Sequence, residues 1–187
     1  CNVKPEAVIQ SIDVETIYDV PLEMLNEGLD KVVLDKLGVN SKNKPDLKDW
    51  NLFLNKLKNP KKSVKVGLIG KYVELKDSYK SILESLIHAG AINETEVEVV
   101  TIHSEHINKK NISEKLKLLN GLIVAPGFGQ RGIEGKIEAI RFSRENNVPF
   151  FGICLGMQMA VIEYARNKLK YNEANSTEMD PNCNFPV

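Results

Sequence analysis

The pattern of hydrophobic and polar residues predicts alternating strands and helices from Val64 onward. Short apolar or alternating runs typical of strands cover 64–69, 96–102, 121–125 and 148–153. Apolar residues spaced three and four apart predict helices over 77–90, 113–119, 134–146 and 155–168. Asp77 and Ser113 are the predicted caps of the first two helices, and Gly90 is the predicted end of the first. The alternation predicts an α/β fold with a parallel sheet and helices on both faces.

The composition changes over residues 40–63, ahead of this regular part. The polar segments 40–45 and 59–63 each contain a proline and are typical of linkers. Between them, Trp50, Phe53 and Leu57 recur at helical spacing and predict a short amphipathic helix. Packing is the simplest role for this helix, since none of these residues carries reactive chemistry.

The overall composition excludes several classes of protein. The 25 basic and 25 acidic side chains cancel, so no basic excess suggests a nucleic-acid partner. No apolar run reaches 18 residues and the first residues include Lys4 and Glu6, so we expect neither a membrane span nor a signal peptide. Three cysteines without zinc spacing favour a reducing, cytoplasmic setting. Because the first residue is Cys1 rather than Met, we expect a piece of a longer protein.

The loop after the last predicted strand carries the clearest chemical pattern. It reads GICLGMQ over 152–158, with glycines two residues before and two residues after Cys154. This is the spacing of a nucleophile elbow, a sharp strand-to-helix turn, with cysteine in place of serine. The positive end of the following helix suits an anionic nucleophile and an oxyanion. The alternative is a buried structural cysteine, and spacing alone does not decide between them.

A glycine-rich loop follows the neighbouring predicted strand. It reads Ala-Pro-Gly-Phe-Gly over 125–129, and Gly132 and Gly135 come soon after. Backbone N–H groups of such a loop can point at the oxygen of an attacked carbonyl. A plain turn is the alternative, because a glycine-rich loop is a weak signal by itself.

These segments together resemble the glutaminase domain of the CTP synthase family. The segments 126–136, 152–158 and 172–181 carry this resemblance. GICLGMQ alone is typical of class I glutamine amidotransferases in general, whereas the segments 70–90 and 174–178 narrow the resemblance to that family. The resemblance covers the whole chain. It implies that 1–39 is the C-terminal part of a P-loop-type α/β synthetase (amidoligase) domain and that 40–63 is an interdomain linker. Residues 64–187 would then be the N-terminal part of a flavodoxin-like glutaminase domain.

The resemblance implies an activity for the complete protein. Members of the family use ATP to phosphorylate UTP, and ammonia from glutamine hydrolysis displaces the phosphate to give CTP in pyrimidine nucleotide biosynthesis. The implied ligands are therefore UTP, ATP with Mg²⁺, glutamine and the activator GTP. ATP and Mg²⁺ would bind mainly outside this chain, which we expect to hold no metal site. The family assembles as dimers and tetramers, and we expect neither a nucleic acid nor a membrane as partner.

The resemblance also implies roles for individual residues. Cys154 matches the nucleophile, and the backbone N–H groups of Gly127 and Leu155 match the oxyanion hole. The residues that match glutamine-binding positions are Gly127, Phe128, Gln158 and Glu178. Phe128 and Arg131 lie in the segment that resembles the lid over the site, where GTP acts. Asp13 and Val14 match a stretch near the ATP adenine.

Two departures from the family pattern are visible. Pro126 stands where the family commonly has glycine, and proline offers no N–H there. The histidine and glutamate partners of the family nucleophile come after the cysteine, whereas His88, His103 and His106 all precede Cys154. We therefore expect the chain to be truncated at both ends and to be inactive by itself.

Two other functions stay open on the sequence. One is a different class I amidotransferase or a cysteine hydrolase of the same fold. The other is a non-catalytic glutaminase-like module that only binds or assembles.

Overall fold

The computed structural model describes residues 2–41 and 43–187, with Lys76 described by its backbone only. Two compact units make up the chain, Cys1–Lys58 and Asn59–Val187. Among the helices of these described residues, none has the length and apolarity needed to cross a bilayer.

The first unit consists of short helices. They are α1 (Val20–Asn26), α2 (Leu29–Lys36) and α3 (Lys48–Lys58), with 3₁₀ turns at Pro5–Ala7 and Ile17–Asp19. The predicted amphipathic helix is confirmed as α3, which buries Leu54. Trp50 Nε1 donates to the Tyr18 carbonyl oxygen at 2.8 Å, so α3 packs within this unit. The assignment of 1–39, 40–63 and 64–187 to family domains stays a prediction.

The second unit is built on a four-stranded parallel sheet. Its strands are β1 (Lys62–Gly70), β2 (Thr95–His103), β3 (Gly121–Val124) and β4 (Phe150–Gly152), in the spatial order β2-β1-β3-β4. Leu68 pairs with Ile123, and Val124 pairs with Gly152. A separate two-stranded pair joins β5 (Ala174–Asn175) to β6 (Phe185–Pro186). All four predicted strands are thereby confirmed.

Helices cover both faces of the sheet. They are α4 (Lys80–Ile92), α5 (Ile112–Leu116), α6 (Ile133–Glu145) and α7 (Leu155–Asn167). On one face Leu68 packs with Tyr79, at the start of α4, and on the other Ile69 packs with residues of α5, α6 and α7. Adjacent residues of one strand point to opposite faces, so this two-sided burial explains the continuous apolar run in β1. The predicted α/β architecture is confirmed.

The ends of two predicted helices differ from expectation. A 3₁₀ turn, Lys76–Tyr79, precedes α4, so Asp77 lies inside that turn instead of capping the helix. Gly90 does not end α4, which continues to Ile92; a Cβ atom on Gly90 would lie 2.6 Å from the Thr95 carbonyl oxygen. The glycine therefore permits close packing of α4 against β2. Ser113 lies within α5, which starts at Ile112.

The carboxyl ends of all four strands lie at one edge of the sheet, because the strands are parallel. Binding sites of open α/β sheets form outside this edge. The loops that follow β3 and β4 both lie there, and these strands are direct neighbours.

Candidate active site

Cys154 lies at the turn between β4 and α7. Its backbone has φ 51° and ψ −109°, an unfavourable conformation for a residue with a Cβ atom. The residue is exposed, so it is not the buried structural cysteine that the sequence left open. The amide nitrogens of Met157 and Gln158 donate to the Cys154 carbonyl oxygen at 2.9 and 3.1 Å, which closes the first turn of α7.

The two glycines around Cys154 are required by close backbone contacts. A Cβ atom on Gly152 would lie 2.6 Å from the carbonyl carbon of Gly156. A Cβ atom on Gly156 would lie 2.1 Å from the carbonyl oxygen of Val124. Any larger residue would push α7 away from the sheet, so the glycine spacing is a steric condition for the elbow.

The loop after β3 brings Gly127 next to the first residue of α7. A Cβ position on Gly127 lies 3.8 Å from Leu155 Cδ2 and 3.8 Å from Lys136 Nζ. Gly127 and Leu155, which match the oxyanion hole, are thus brought together beside Cys154. Helix α7 also directs its positive end at this place. The arrangement can stabilise negative charge on a carbonyl oxygen that Cys154 attacks.

A buried lysine lies directly behind this loop. Lys136 of α6 is fully buried, and its Nζ donates to the Ala125 carbonyl oxygen at 2.7 Å. The pKa of Lys136 is lowered to about 8, mainly because the side chain is buried and also because of the charge of Lys71, whereas the charge of Cys154 opposes the shift. The ammonium group therefore lies against the backbone of the glycine-rich loop.

A second lysine holds the outer part of the same loop. Lys71 follows β1 and is 3 % exposed, and its Nζ donates to the carbonyl oxygens of Phe128 and Gly129. Burial lowers the pKa of Lys71, the Arg131 charge adds to this, and the Glu105 charge opposes it. Its backbone N–H donates to the Tyr79 hydroxyl at 3.1 Å.

The two predicted lid residues lie on the solvent side of this loop. The Phe128 side chain is 82 % exposed. Arg131 Nε lies 3.1 Å from Glu105 Oε1, and its guanidinium carbon lies 5.8 Å from the Tyr72 ring centroid. The segment is therefore tied by a salt bridge and a cation–π contact to residues after β1 and β2.

The predicted glutamine-binding residues Gln158 and Glu178 lie on different elements. Gln158 is half-buried in the first turn of α7, and Glu178 is exposed in the turn that follows β5. Gln130 Nε2 donates to the Met179 carbonyl oxygen at 2.6 Å and so joins that turn to the glycine-rich loop. Next to this contact is a cavity of about 510 Å³ lined by Gln130, Asn175 and Met179, among other residues.

The remaining predicted residues lie elsewhere. Asp13 and Val14 belong to the first unit, in the irregular segment before Ile17–Asp19. His88 is exposed on α4. His103 and His106 contact each other at the end of β2, with ring centroids 4.7 Å apart. Two strands separate β2 from β4, which corresponds to roughly 14 Å at the usual strand spacing. Neither histidine is therefore positioned by the sheet beside Cys154.

Sequence reasoning missed Lys71 and Lys136. The signal for Lys136 was available: with Ile133, Ile137 and Ile140 it occupies the apolar stripe of α6 at helical spacing. A lysine in such a stripe is either extended to solvent or buried for a reason. The signal for Lys71 was weaker, because a lysine directly after a strand is ordinary.

Known families and structures match this chain. The family described as glutamine amidotransferase class-I matches residues 74–182. The CTP synthase of Flavobacterium johnsoniae is 67% identical over 187 residues, which cover 100% of this chain and 35% of that protein. The CTP synthase of Methanocaldococcus jannaschii is 50% identical over 193 residues, covering 100% of this chain and 36% of that protein. The chain thus spans about a third of the length of these curated relatives.

A solved structure is also similar. It is the glutaminase domain of Trypanosoma brucei CTPS with bound acivicin, at 35% sequence identity and a TM-score of 0.61. The match covers 66% of this chain and 48% of that one. This structural similarity agrees with the fold described above.

Proposed function

Because the chain belongs to the class I glutamine amidotransferase family, we propose that Cys154 hydrolyses glutamine and releases ammonia for CTP synthesis. The observation that carries this proposal is the exposed Cys154 in a strained elbow, at the start of α7 and beside Gly127. The similarity to CTP synthases over the whole chain supports the choice of product.

The proposed chemistry begins with attack by the Cys154 sulfur on the side-chain amide carbon of glutamine. A C–S bond forms, and the carbonyl oxygen becomes an oxyanion that the N–H groups of Gly127 and Leu155 stabilise. The amide C–N bond then breaks, the nitrogen takes up a proton and leaves as ammonia, and a glutamyl thioester remains. Water hydrolyses the thioester to glutamate and frees Cys154. In this scheme Phe128, Gln158 and Glu178 hold the substrate, and Glu178 pairs with its α-ammonium group.

The proton that ammonia needs must come from a general acid. None of the three histidines in residues 1–187 follows Cys154 as the family pattern requires. We therefore propose that residues 1–187 by themselves hydrolyse glutamine only negligibly. General acid–base help of this kind is typically worth about 10²–10⁴-fold in rate.

In the complete protein, we propose that ammonia attacks UTP that ATP has phosphorylated. The ammonia nitrogen bonds to the ring carbon that carries the phosphorylated oxygen, the C–O bond at that carbon breaks, and inorganic phosphate and a proton leave, which gives CTP. GTP would activate the glutaminase through the segment of Phe128 and Arg131, and Asp13 and Val14 would lie near the ATP adenine. We also propose that the complete protein is a homotetramer in the cytoplasm.

ATP carries Mg²⁺ in this proposal. Among residues 2–41 and 43–187, no three His, Cys, Asp or Glu side chains come together as a metal site. In this proposal the described residues take no part in holding Mg²⁺.

The test of the proposal is Cys154→Ala in the complete protein. Glutamine-dependent CTP formation should be abolished, while formation from added ammonia should stay largely intact, because the thiol serves only to release ammonia. Met157→Ala, an exposed neighbour on α7, is the control and should leave both activities unchanged. Equal loss of both activities in Cys154→Ala would contradict the two-site proposal.

Ligand protection tests the site directly. The Trypanosoma brucei domain was solved with acivicin, so we expect acivicin to slow alkylation of Cys154 by iodoacetamide, measured by mass spectrometry. Protection by acivicin but not by glutamate would fit a glutaminase site. An unprotected Cys154 would favour the non-catalytic module.

A further inference from the structure

Lys136 is a buried cation whose position packing alone does not explain. Its side chain is 0 % exposed in the core between α6 and the sheet. Its ammonium group donates to the Ala125 carbonyl oxygen at 2.7 Å, and among the described residues it forms no ion pair with a carboxylate. Burial of an unpaired ammonium is unfavourable, and the lowered pKa of Lys136, about 8, reflects this. A methionine of similar length would fill the same space without a charge.

The hydrogen bond from Lys136 acts on the first residue of the glycine-rich loop 125–129, which we call the oxyanion loop because it contains Gly127. It fixes the orientation of the Ala125–Pro126 peptide plane. The ring of Pro126 fixes the next φ torsion. One torsion, ψ of Pro126, then remains to direct the N–H of Gly127. Lys136 Nζ also lies 3.8 Å from the Cβ position of Gly127, so the ammonium is close to the residue that it would orient.

The other side of Gly127 is held separately. Lys71 binds the carbonyl oxygens of Phe128 and Gly129, which fixes the two peptide planes after Phe128. Gly127 therefore lies between the contacts of two lysines, Lys71 directly after β1 and Lys136 in α6. Of the two, Lys136 is nearer in sequence and in space to the predicted oxyanion donor.

We propose that Lys136 is a positioning residue for glutamine hydrolysis. By holding the Ala125 carbonyl, it directs the Gly127 N–H at the oxyanion that forms when Cys154 attacks the amide. This inference rests on the proposed function and adds to it a residue that does not touch the substrate. Because the donor matters most when negative charge develops on the oxygen, loss of Lys136 should lower kcat and leave KM for glutamine nearly unchanged.

The experiment compares Lys136→Met with the wild type in the complete protein. Removing an oxyanion donor outright costs about 10²–10³-fold in kcat, so we expect a misdirected donor to cost roughly 10–100-fold. The matched control is Lys117→Met, which changes an exposed lysine and should have no effect. Circular dichroism and the melting temperature report whether each variant is folded.

Two reactions of Cys154 separate positioning from a general structural effect. Glutamyl-thioester formation passes through an oxyanion, whereas alkylation by iodoacetamide displaces iodide directly and forms none. Lys136→Met should slow thioester formation and leave alkylation of Cys154 within about twofold, as a positioning role requires. Equal slowing of both reactions, or no slowing of thioester formation, would overturn the inference.

A second variant keeps the test decisive if Lys136→Met does not fold. Lys136→Gln retains an N–H donor and removes the buried charge, and it should show the same pattern with a smaller loss of thioester formation. The two proposals fail in different ways. Absence of the thioester in the wild type would overturn the proposed function, whereas a normal thioester rate in a folded Lys136 variant would overturn this inference alone.

Discussion

The loops after β4 and β3 form the two halves of the candidate site, and they are held in different ways. The elbow after β4 closes through local hydrogen bonds, with the Gly156 N–H donating to the Ile153 carbonyl oxygen at 2.9 Å. The loop after β3 depends on side chains that are distant in sequence. Its Gly129 carbonyl accepts from Lys71, 58 positions away, and its Gln130 reaches Met179, 49 positions away.

The difference teaches where each half is encoded. The elbow is specified by a short segment in which two glycines flank Cys154 at fixed spacing. The oxyanion loop has an equally short glycine-rich sequence, but distant residues hold its shape. They are Lys136 in α6, Lys71 directly after β1 and Met179 in the turn after β5. Substitutions far from the loop should therefore change the oxyanion loop and leave the elbow intact.

Breaking the ion pair between α6 and α7, the helices that follow the two loops, should have the largest effect on stability. Arg144 of α6 binds Glu163 of α7 through Nη2–Oε1 at 2.7 Å, and Glu163 is 1 % exposed. Arg144→Met leaves the buried Glu163 carboxylate without a counter-charge, with the Asn167 amide still donating to Oε1 at 3.1 Å, so we expect a loss of about 3–5 kcal/mol in the free energy of unfolding. Chemical denaturation measures it.

The control is an exposed pair between β1 and β2. Lys65 Nζ lies 3.0 Å from Glu98 Oε2 and both side chains are about half exposed, and exposed pairs of this kind are worth about 0.2–1 kcal/mol. Lys65→Met should therefore be nearly neutral. A similar loss in both variants would show that the Arg144–Glu163 pair is not special.

The pH dependence of stability tests the burial of Lys136, which holds the oxyanion loop through Ala125. The pKa of Lys136 is about 8 in the folded protein, against an ordinary value of 10.5. Between these values the unfolded state binds more protons, so stability should rise with pH across this window. The pKa difference corresponds to at most about 3 kcal/mol.

Other lysines, tyrosines and cysteines also titrate in this pH range. The contribution of Lys136 is therefore measured as the difference between the wild type and Lys136→Met. Unfolding free energies of the wild type and Lys136→Met are compared from pH 7.5 to 10.5, and the variant should show the smaller rise. Parallel curves would mean that Lys136 is solvated in solution. The charges of Lys71 and Cys154 also act on the pKa of Lys136, the first lowering it and the second raising it.

Breaking the elbow itself should have an intermediate effect. A Cβ atom on Gly156 would lie 2.1 Å from the Val124 carbonyl oxygen, so Gly156→Ala must displace α7. We expect a loss of about 1–3 kcal/mol in stability, as for overpacking in general, together with loss of glutaminase activity. The control is Gly121→Ala on β3, where the added atom meets only the Pro149 oxygen at 3.7 Å. Equal melting temperatures for the two variants would contradict the steric account of the elbow.

A substitution in the turn after β5 should have the smallest effect of the four. Glu178 is exposed in the turn that Gln130 ties to the oxyanion loop. Glu178→Gln should raise KM for glutamine about fivefold, close to the ~1 kcal/mol of an exposed ion pair, and leave kcat nearly unchanged. Glu114→Gln, an exposed change on α5, is the control. An unaltered KM would show that Glu178 does not contact the substrate.

The sequence by itself determined the order of elements and the elbow. Strand and helix periodicities depend on neighbouring residues, so the apolar runs predicted all four strands of the sheet and α4 to α7. The spacing of Gly152, Cys154 and Gly156 is likewise local, and it predicted the sharp turn that the structure contains. The candidate nucleophile was therefore visible without a structure.

Only the tertiary structure decided which groups hold the oxyanion loop. The sequence predicted Gly90 as a helix end, but it lies inside α4, where it allows the helix to pack closely against β2. Lys136 read as one more lysine, yet the sheet buries it and turns its ammonium to Ala125. Burial and long-range hydrogen bonds depend on which elements meet in space, and the spacing of residues along the chain does not contain that information.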